Sequence, residues 1–302
     1  FTYLKHGLQQ AHQMPWEYGK HMRPWLQPAV YYWVTYPFVH WLEWEYQAIE
    51  RLTTLFQLLL IALALPCFWA IAPLPAPHRD GTRSKRQWMM VYLGVLWFMP
   101  FMIVRHSSEA FSIFFLTLSL ASIYRALANS SASPFESPRE ENANDSSGSK
   151  QVLIWAFVAG LFAGCSFWSR FQLGLFVFGF WITWVASTLI EKRRVSWAQV
   201  LFAAGVVATL PVGVAIDAWG YGVWTVSPYN YFMENILYDK SSYFGRQPWH
   251  YYFGQAVGLT LNPLIWLWLA WAVKSAWRSY WYRSISGGLL LFFVAHLFIG
   301  HK

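Results

Sequence analysis

Apolar runs free of Asp, Glu, Lys and Arg recur along the chain at about 52–73, 88–104, 110–124, 151–169, 171–190, 197–216, 255–273 and 284–300. Several approach the roughly 20 residues that a helix needs to cross the hydrocarbon core, and the shorter ones borrow a residue or two at their ends. The pattern predicts an all-α polytopic membrane protein with about eight transmembrane helices. A further segment, "AVYYWVTYPFVHWLEWEYQAIE" from Ala29 to Glu50, is too polar at its end for a clean span. Its Trp and Tyr content predicts an interfacial or re-entrant helix at the headgroup level. Pro100, Pro211 and Asn262-Pro263 are candidate helix breaks within the runs.

The polar stretches between the runs divide the chain. Residues 1–51 read as an outer loop with the interfacial helix, and 52–216 as a six-span block. A large aromatic outer loop occupies 217–254, and two further spans fill 255–302. Within the block, 125–150 ("RALANSSASPFESPREENANDSSGSK") is rich in Ser, Asn, Pro and Glu, and is expected to be a disordered linker because nothing in it can bury a core. No internal repeat is evident. The chain opens at Phe1 without a signal-peptide pattern and stops just after its last apolar run, so it reads as an internal piece of a longer polytopic protein.

Composition sharpens the class. Hydrophobic residues make up 56% of the 302, aromatics 21% and charged residues 12%, against roughly 25% charged in a soluble domain. Alternating the eight spans puts 13 Lys and Arg against 6 acids on one side of the membrane, a net of +7, and 9 against 8 on the other, a net of +1. The positive-inside rule places the first side, with the linker, in the cytoplasm. This asymmetry accounts for the net charge of +8 without nucleic acid, for which no module or basic stripe is visible. Cys67 and Cys165 lie within apolar runs as small buried hydrophobes, and no spacing of metal-ligand type occurs.

Outside the cytoplasmic loops charge clusters at the outer ends of spans, in six short islands. They are "WEYGKHMRPWLQP" (Trp16–Pro28), "RHSSE" (Arg105–Glu109), "SRFQLG" (Ser169–Gly174), "IDAWGYGVW" (Ile216–Trp224), "DKSSYFGRQPWHYYF" (Asp239–Phe253) and "GHK" (Gly300–Lys302). Taken singly, each has a bland reading. Trp219, Tyr221 and Tyr229 suit an aromatic belt, Arg170 suits snorkelling, and Arg105 with Glu109 suits an i, i+4 ion pair. Taken together they predict a concave polar site on one membrane face.

The stretch from Ile216 to Phe253 resembles the large luminal loop of the lipid-linked mannosyltransferases of glycosyltransferase family 22, which act in GPI-anchor and N-glycan-precursor assembly. The resemblance runs through Asp217, Tyr221-Gly222, Trp224, Asn230-Tyr231 and Tyr243-Phe244-Gly245-Arg246-Gln247-Pro248-Trp249-His250-Tyr251-Tyr252-Phe253. "PWEYGKHMRPWLQP" is similar to the first luminal loop of that family, "RHSSEAF" and "SRFQLG" to two further segments, and "GHK" to the start of its His-Lys-Glu stretch. The GPI third-mannose branch fits best, and bacterial relatives have similar loops. The family's His-Pro-Asp-Glu stretch, which supplies the general base, does not occur here.

The resemblance implies a GT-C type fold and a hexosyltransferase that moves mannose, with inversion, from polyprenyl (dolichyl) phosphate mannose to a glycolipid acceptor. It implies no cofactor beyond that lipid-linked co-substrate. It also implies an integral membrane location, in the endoplasmic reticulum of a eukaryote or the cytoplasmic membrane of a bacterium, with the site on the luminal or extracytoplasmic face. Such chemistry requires a carboxylate near the attacking oxygen and cations at the departing lipid phosphate. Glu17 is the fallback base in this chain. The candidate substrate-binding residues are Arg23, Arg105, Glu109, Arg170, Gln172, Asp217, Tyr221, Asn230, Lys240, Tyr243, Arg246, Trp249, His250, His301 and Lys302. Of these, Lys240, Arg246, Arg105, Arg170 and His301-Lys302 are available to the phosphate. The competing class is a transporter or lipid scaffold, which is expected to carry ionisable groups at mid-membrane; His296 alone lies so in the later runs.

Overall fold

The computed structural model describes residues 16–71, 107–129, 146–240 and 280–297, together with positions 248, 250, 251, 254, 258 and 274. Every regular element among them is helical. The short α1 (Trp16–Gly19) precedes α2 (Leu26–His40) and α3 (Tyr46–Ile71). Four long helices follow: α4 (Ser108–Asn129), α5 (Ser146–Ser169), α6 (Leu173–Lys192) and α7 (Trp197–Tyr221). The short α8 (Ser227–Phe232) runs into a π-helical turn, Met233–Leu237, and α9 covers Tyr280–Leu297. By length and composition, segments of α3, α4, α5, α6 and α7 can each cross a membrane: Tyr46–Cys67, Ser108–Ala126, Lys150–Ser169, Leu173–Lys192 and Trp197–Tyr221.

These five correspond to five of the expected apolar runs. The run at 88–104 and all of the run at 255–273 except position 258 lie outside the described residues, as does most of the linker, and α9 covers 284–297 of the run at 284–300. Two details differ from expectation. The hydrophobic segment from Ala29 does not continue as one helix to Glu50: α2 stops at His40, Glu43 takes a left-handed φ of 51°, and α3 begins at Tyr46. The carboxylates of Glu43 and Glu45 favour an exposed turn there. Pro211 does not break its helix, since α7 runs through it, as α3 runs through Pro66. A spanning helix tolerates proline where its neighbours re-satisfy the freed backbone.

Helix α5 packs between α4 and α7, and α6 pairs with α9. In lipid there is little hydrophobic drive for helices to associate, so small residues that let backbones approach decide which faces meet. Gly160 and Gly164 on α5 oppose Gly205 and Thr209 on α7, and a Cβ on Gly205 would lie 2.9 Å from the Gly160 Cα. Gly179 on α6 meets Gly287 and Gly288 on α9 in the same way. Buried hydroxyls add interhelical hydrogen bonds: Ser119 Oγ donates to the Ala159 carbonyl at 2.8 Å, and Ser166 Oγ to the Ser112 carbonyl at 2.9 Å. Around these seams Ile123, Ala159, Phe176, Phe180, Phe202 and Trp281 form the core.

The two ends of the bundle are tied differently. At one end a capping box of Ser196 and Gln199 starts α7, and Gln199 also donates to the Trp184 carbonyl at 3.0 Å, joining α6 to α7. Glu191 of α6 there accepts from Arg283 of α9 at 2.7 Å. The start of α4, the α5–α6 turn, the end of α7 and α8 gather at the other end, where the described parts of four of the polar islands, within 16–28, 107–109, 169–174 and 216–224, converge.

Candidate functional site

Three short local structures build the site. The Ser107 hydroxyl accepts from the Ala110 amide at 3.2 Å and so caps α4, which places Ser108 and Glu109 in its first turn, where a carboxylate suits the helix dipole. Between α5 and α6 the chain reverses within Arg170-Phe171-Gln172, as the Leu173 amide donates to the Arg170 carbonyl at 3.0 Å. The tightness of that reversal holds Arg170 and Gln172 at the bundle end. The segment from Glu17 to Trp25 turns sharply at His21, whose φ of 52° is left-handed. That turn lets Glu17 face Arg23.

Both arginines are paired. Arg23 Nε and Nη2 donate to the two oxygens of Glu17 at 2.7 and 2.8 Å, a bidentate contact that holds the guanidinium firmly protonated. Arg170 Nη1 lies 2.6 Å from Glu109 Oε1 and donates to Ser108 Oγ at 3.1 Å. Gln172 Nε2 donates to the Tyr231 hydroxyl at 2.8 Å. Burial raises the pKa of that phenol, which therefore stays neutral and can also donate. Between these groups lies a cleft of about 190 Å³, lined by Arg23, Gln27, Ser108, Ser169, Arg170, Gln172 and Tyr231, with Met22, Pro24, Pro28 and Phe171 as its apolar walls.

Asp217, Tyr221 and Asn230 do not line this cleft; they hold the backbone of the loop that brings Arg23 to it. The fully buried Asp217 accepts from the Trp25 amide at 2.8 Å, at the start of α2, where no side chain of α2 itself provides a cap. The Tyr221 hydroxyl donates to the Arg23 carbonyl at 2.7 Å and accepts from the Arg23 amide at 3.1 Å. Asn230 Nδ2 donates to the His21 carbonyl at 3.2 Å and to Thr225 Oγ1 at 2.8 Å. Gly220 lies directly beneath the Trp25 ring, so that a Cβ there would run into the indole. Together these contacts hold the strained His21 turn in place.

Lys240 pairs with Glu234 on the π-helical turn, and Lys20 approaches the same carboxylate at 3.6 Å. The hydrogen bond from Lys240, and then the two positive charges, hold the Glu234 carboxyl below the usual range. His250 is described, whereas Arg105, Tyr243, Arg246, Trp249, His301 and Lys302 lie outside the described residues. No group of three or more His, Cys, Asp or Glu suited to a metal occurs among the described residues.

Gln27, Ser108, Ser169 and Tyr231 were missed as single candidates. Tyr231 was within reach as the neighbour of Asn230, and both serines stand inside polar islands. The bidentate Glu17–Arg23 pair carried no helical spacing to reveal it, because it depends on the turn at His21.

A second hollow, of about 550 Å³ and almost wholly apolar, lies between α2 and α7, lined by Leu26, Ala29, Val30, Trp33, Pro211, Val212, Ala215, Ile216 and Trp219.

Comparison with known proteins adds the family. The Alg9-like mannosyltransferase family matches residues 2–302. Among curated relatives, the GPI alpha-1,2-mannosyltransferase 3 of Bos taurus is 35% identical over 72 residues, 24% of this chain and 13% of its own length. The GPI mannosyltransferase 3 of Gibberella zeae is 40% identical over 50 residues, 17% of this chain and 8% of its own length. A probable Dol-P-Man:Man(7)GlcNAc(2)-PP-Dol alpha-1,6-mannosyltransferase of Schizosaccharomyces pombe is 29% identical over 118 residues, 38% of this chain and 21% of its own length. The matched segments thus span less than a quarter of the length of these relatives. No solved structure matches. The chain, an all-α polytopic membrane protein of GT-C type, belongs to the Alg9-like mannosyltransferase family.

Proposed function

We propose that the protein acts as a membrane mannosyltransferase, moving a mannosyl group with inversion from a polyprenyl phosphate such as dolichyl phosphate to a hydroxyl of a glycolipid acceptor. The observation that carries this reading is the convergence of segments near residues 17–28, 108–109, 169–172 and 221–231 on one polar cleft at one end of the helices. Neither lipid packing nor an aromatic belt requires paired arginines, two amides and two serines around a common hollow. The name of the Schizosaccharomyces pombe relative supports the donor, and those of the GPI mannosyltransferases favour a GPI-anchor precursor as acceptor.

In this reading the cleft end faces the lumen of the endoplasmic reticulum in a eukaryote, in keeping with the low charge of that side of the chain. Glu17, the fallback base, has both oxygens engaged by Arg23, so its part is to fix the guanidinium rather than to take a proton. Arg246, Arg105 and His301-Lys302 remain the cations offered to the lipid phosphate, which must be stabilised as it departs, together with Lys240, whose partner Glu234 is shared with Lys20 and so leaves one positive charge over.

The test is an assay of microsomes containing the full-length protein, with each donor supplied separately. Transfer from dolichyl phosphate mannose is expected. Transfer from GDP-mannose while lipid-mannose synthesis is blocked would overturn the reading.

A further inference from the structure

Arg23 and Arg170 are the charged residues that line the cleft among those described, and each is already neutralised. Glu17 takes two donors of Arg23, and Glu109 takes one of Arg170. The four groups sum to zero charge. A phosphate entering between them would meet two carboxylates as well as two guanidiniums, and phosphate recognition draws its strength from uncompensated cations.

The remaining lining has a different chemical character. Gln27 and Gln172 carry amides that both donate and accept, and Ser108, Ser169 and Tyr231 carry hydroxyls that do the same. An anionic phosphate oxygen only accepts, whereas each hydroxyl of a sugar does both. Phe171 and Tyr231, with ring centroids 5.8 Å apart at 66°, and the rings of Pro24 and Pro28 supply apolar surface beside these polar groups. A pyranose has just this division, with C–H faces and a polar edge. At roughly 30 Å³ per water, the volume of about 190 Å³ corresponds to a handful of waters, room for one monosaccharide ring but not for a chain of them.

We propose that the cleft holds a single neutral pyranose, and that the phosphate of the lipid donor binds outside it. The proposal rests on the mannosyltransferase reading and assigns the arginine-lined cleft to sugar orientation rather than to leaving-group stabilisation. Two sugars share the required chemistry: the mannosyl unit of the donor and the terminal sugar of the acceptor.

The experiment uses the full-length protein in membranes, as wild type and as Arg170→Gln and Gln172→Ala. It reads the KM for dolichyl phosphate mannose, the KM for the acceptor, and inhibition by dolichyl phosphate carrying no sugar. Loss of a charge-assisted or amide contact is expected to raise one KM by about tenfold, while inhibition by dolichyl phosphate shifts by less than about twofold. A raised donor KM identifies the donor's mannosyl unit; a raised acceptor KM identifies the acceptor's sugar. Inhibition by dolichyl phosphate weakening in step with the KM overturns the proposal, as do unchanged KM values in both variants. Gln172→Ala removes only one amide, so the test stands if Arg170→Gln fails to fold. Failure of the mannosyltransferase reading itself appears separately, as wild-type protein that transfers nothing from the lipid donor. In that case saturation-transfer NMR with methyl α-mannoside and with inorganic phosphate decides the cleft: mannoside binding lost in Gln172→Ala supports the proposal, and phosphate binding alone overturns it.

Discussion

At the scale of single residues, side chains that hold backbone matter as much as those that face the cleft. Tyr221 makes two hydrogen bonds to the peptide groups of Arg23 and is nearly buried. Tyr221→Phe keeps the ring against Tyr18, His21 and Trp25 and removes only the hydroxyl. With each of the two hydrogen bonds worth roughly 0.5–1.5 kcal/mol, transfer should fall by about fivefold to a hundredfold or more with little change in the amount of folded protein, read as initial rate per milligram. Glu234 carries a pH signature. Its carboxyl is depressed by the Lys240 hydrogen bond, so the folded state binds its proton less readily than the unfolded chain. Its contribution is therefore present above the ordinary carboxylate pKa and is lost as pH falls through the lower folded value. Thermal unfolding of the solubilised protein should show wild type above Glu234→Gln at pH 7, with the gap closing toward pH 3; a gap that widens on acidification contradicts the ion cluster. Burial was not legible for these residues. Asp217, Tyr221 and Asn230 stood out in the sequence as polar groups in a matching loop, but only the folded chain reveals that they grip the peptide of another segment.

At the scale of elements, the helices meet where glycine allows it. Gly205 approaches the α5 backbone at Phe157, Gly160 and Leu161, so a side chain there must push two spans apart. Gly205→Leu is expected to abolish the monodisperse peak in detergent size-exclusion chromatography, whereas Val207→Leu, on an exposed face of the same helix, should leave it unchanged. A normal peak for Gly205→Leu would mean that α5 and α7 are not held by this seam. The spans themselves were largely legible, because lipid imposes long apolar runs on any crossing helix. Helix pairing was not legible, since Gly160, Gly179 and Gly205 look alike in the sequence and each could have faced lipid. The break between α2 and α3 was also hidden: Trp41 and Leu42 keep the segment hydrophobic through the turn, and the left-handed backbone at Glu43 has no glycine to announce it.

At the scale of the whole molecule, the arrangement depends on sidedness. Asn129 ends α4 at the opposite end of that helix from Ser108, and the sequons Asn129-Ser130-Ser131 and Asn144-Asp145-Ser146 lie at the two ends of the connection from α4 to α5. The proposed topology, with its expected charge bias of +7 against +1, puts that end in the cytoplasm. Neither Asn129 nor Asn144 should therefore be glycosylated in a eukaryotic host, as checked by gel mobility before and after endoglycosidase on single Asn→Gln variants. A shift at either site would move the cleft to the cytoplasmic face. The contacts that build the cleft also set a timetable for its biosynthesis. Glu17 and Arg23 are six residues apart and can pair as soon as both emerge, but the Trp25 amide waits for Asp217, 192 residues later, and the His21 carbonyl waits for Asn230, 209 residues later. At roughly 5–20 residues per second, that delay is about 10 to 40 s, during which the first half of the cleft is exposed to the quality-control machinery without its clamp.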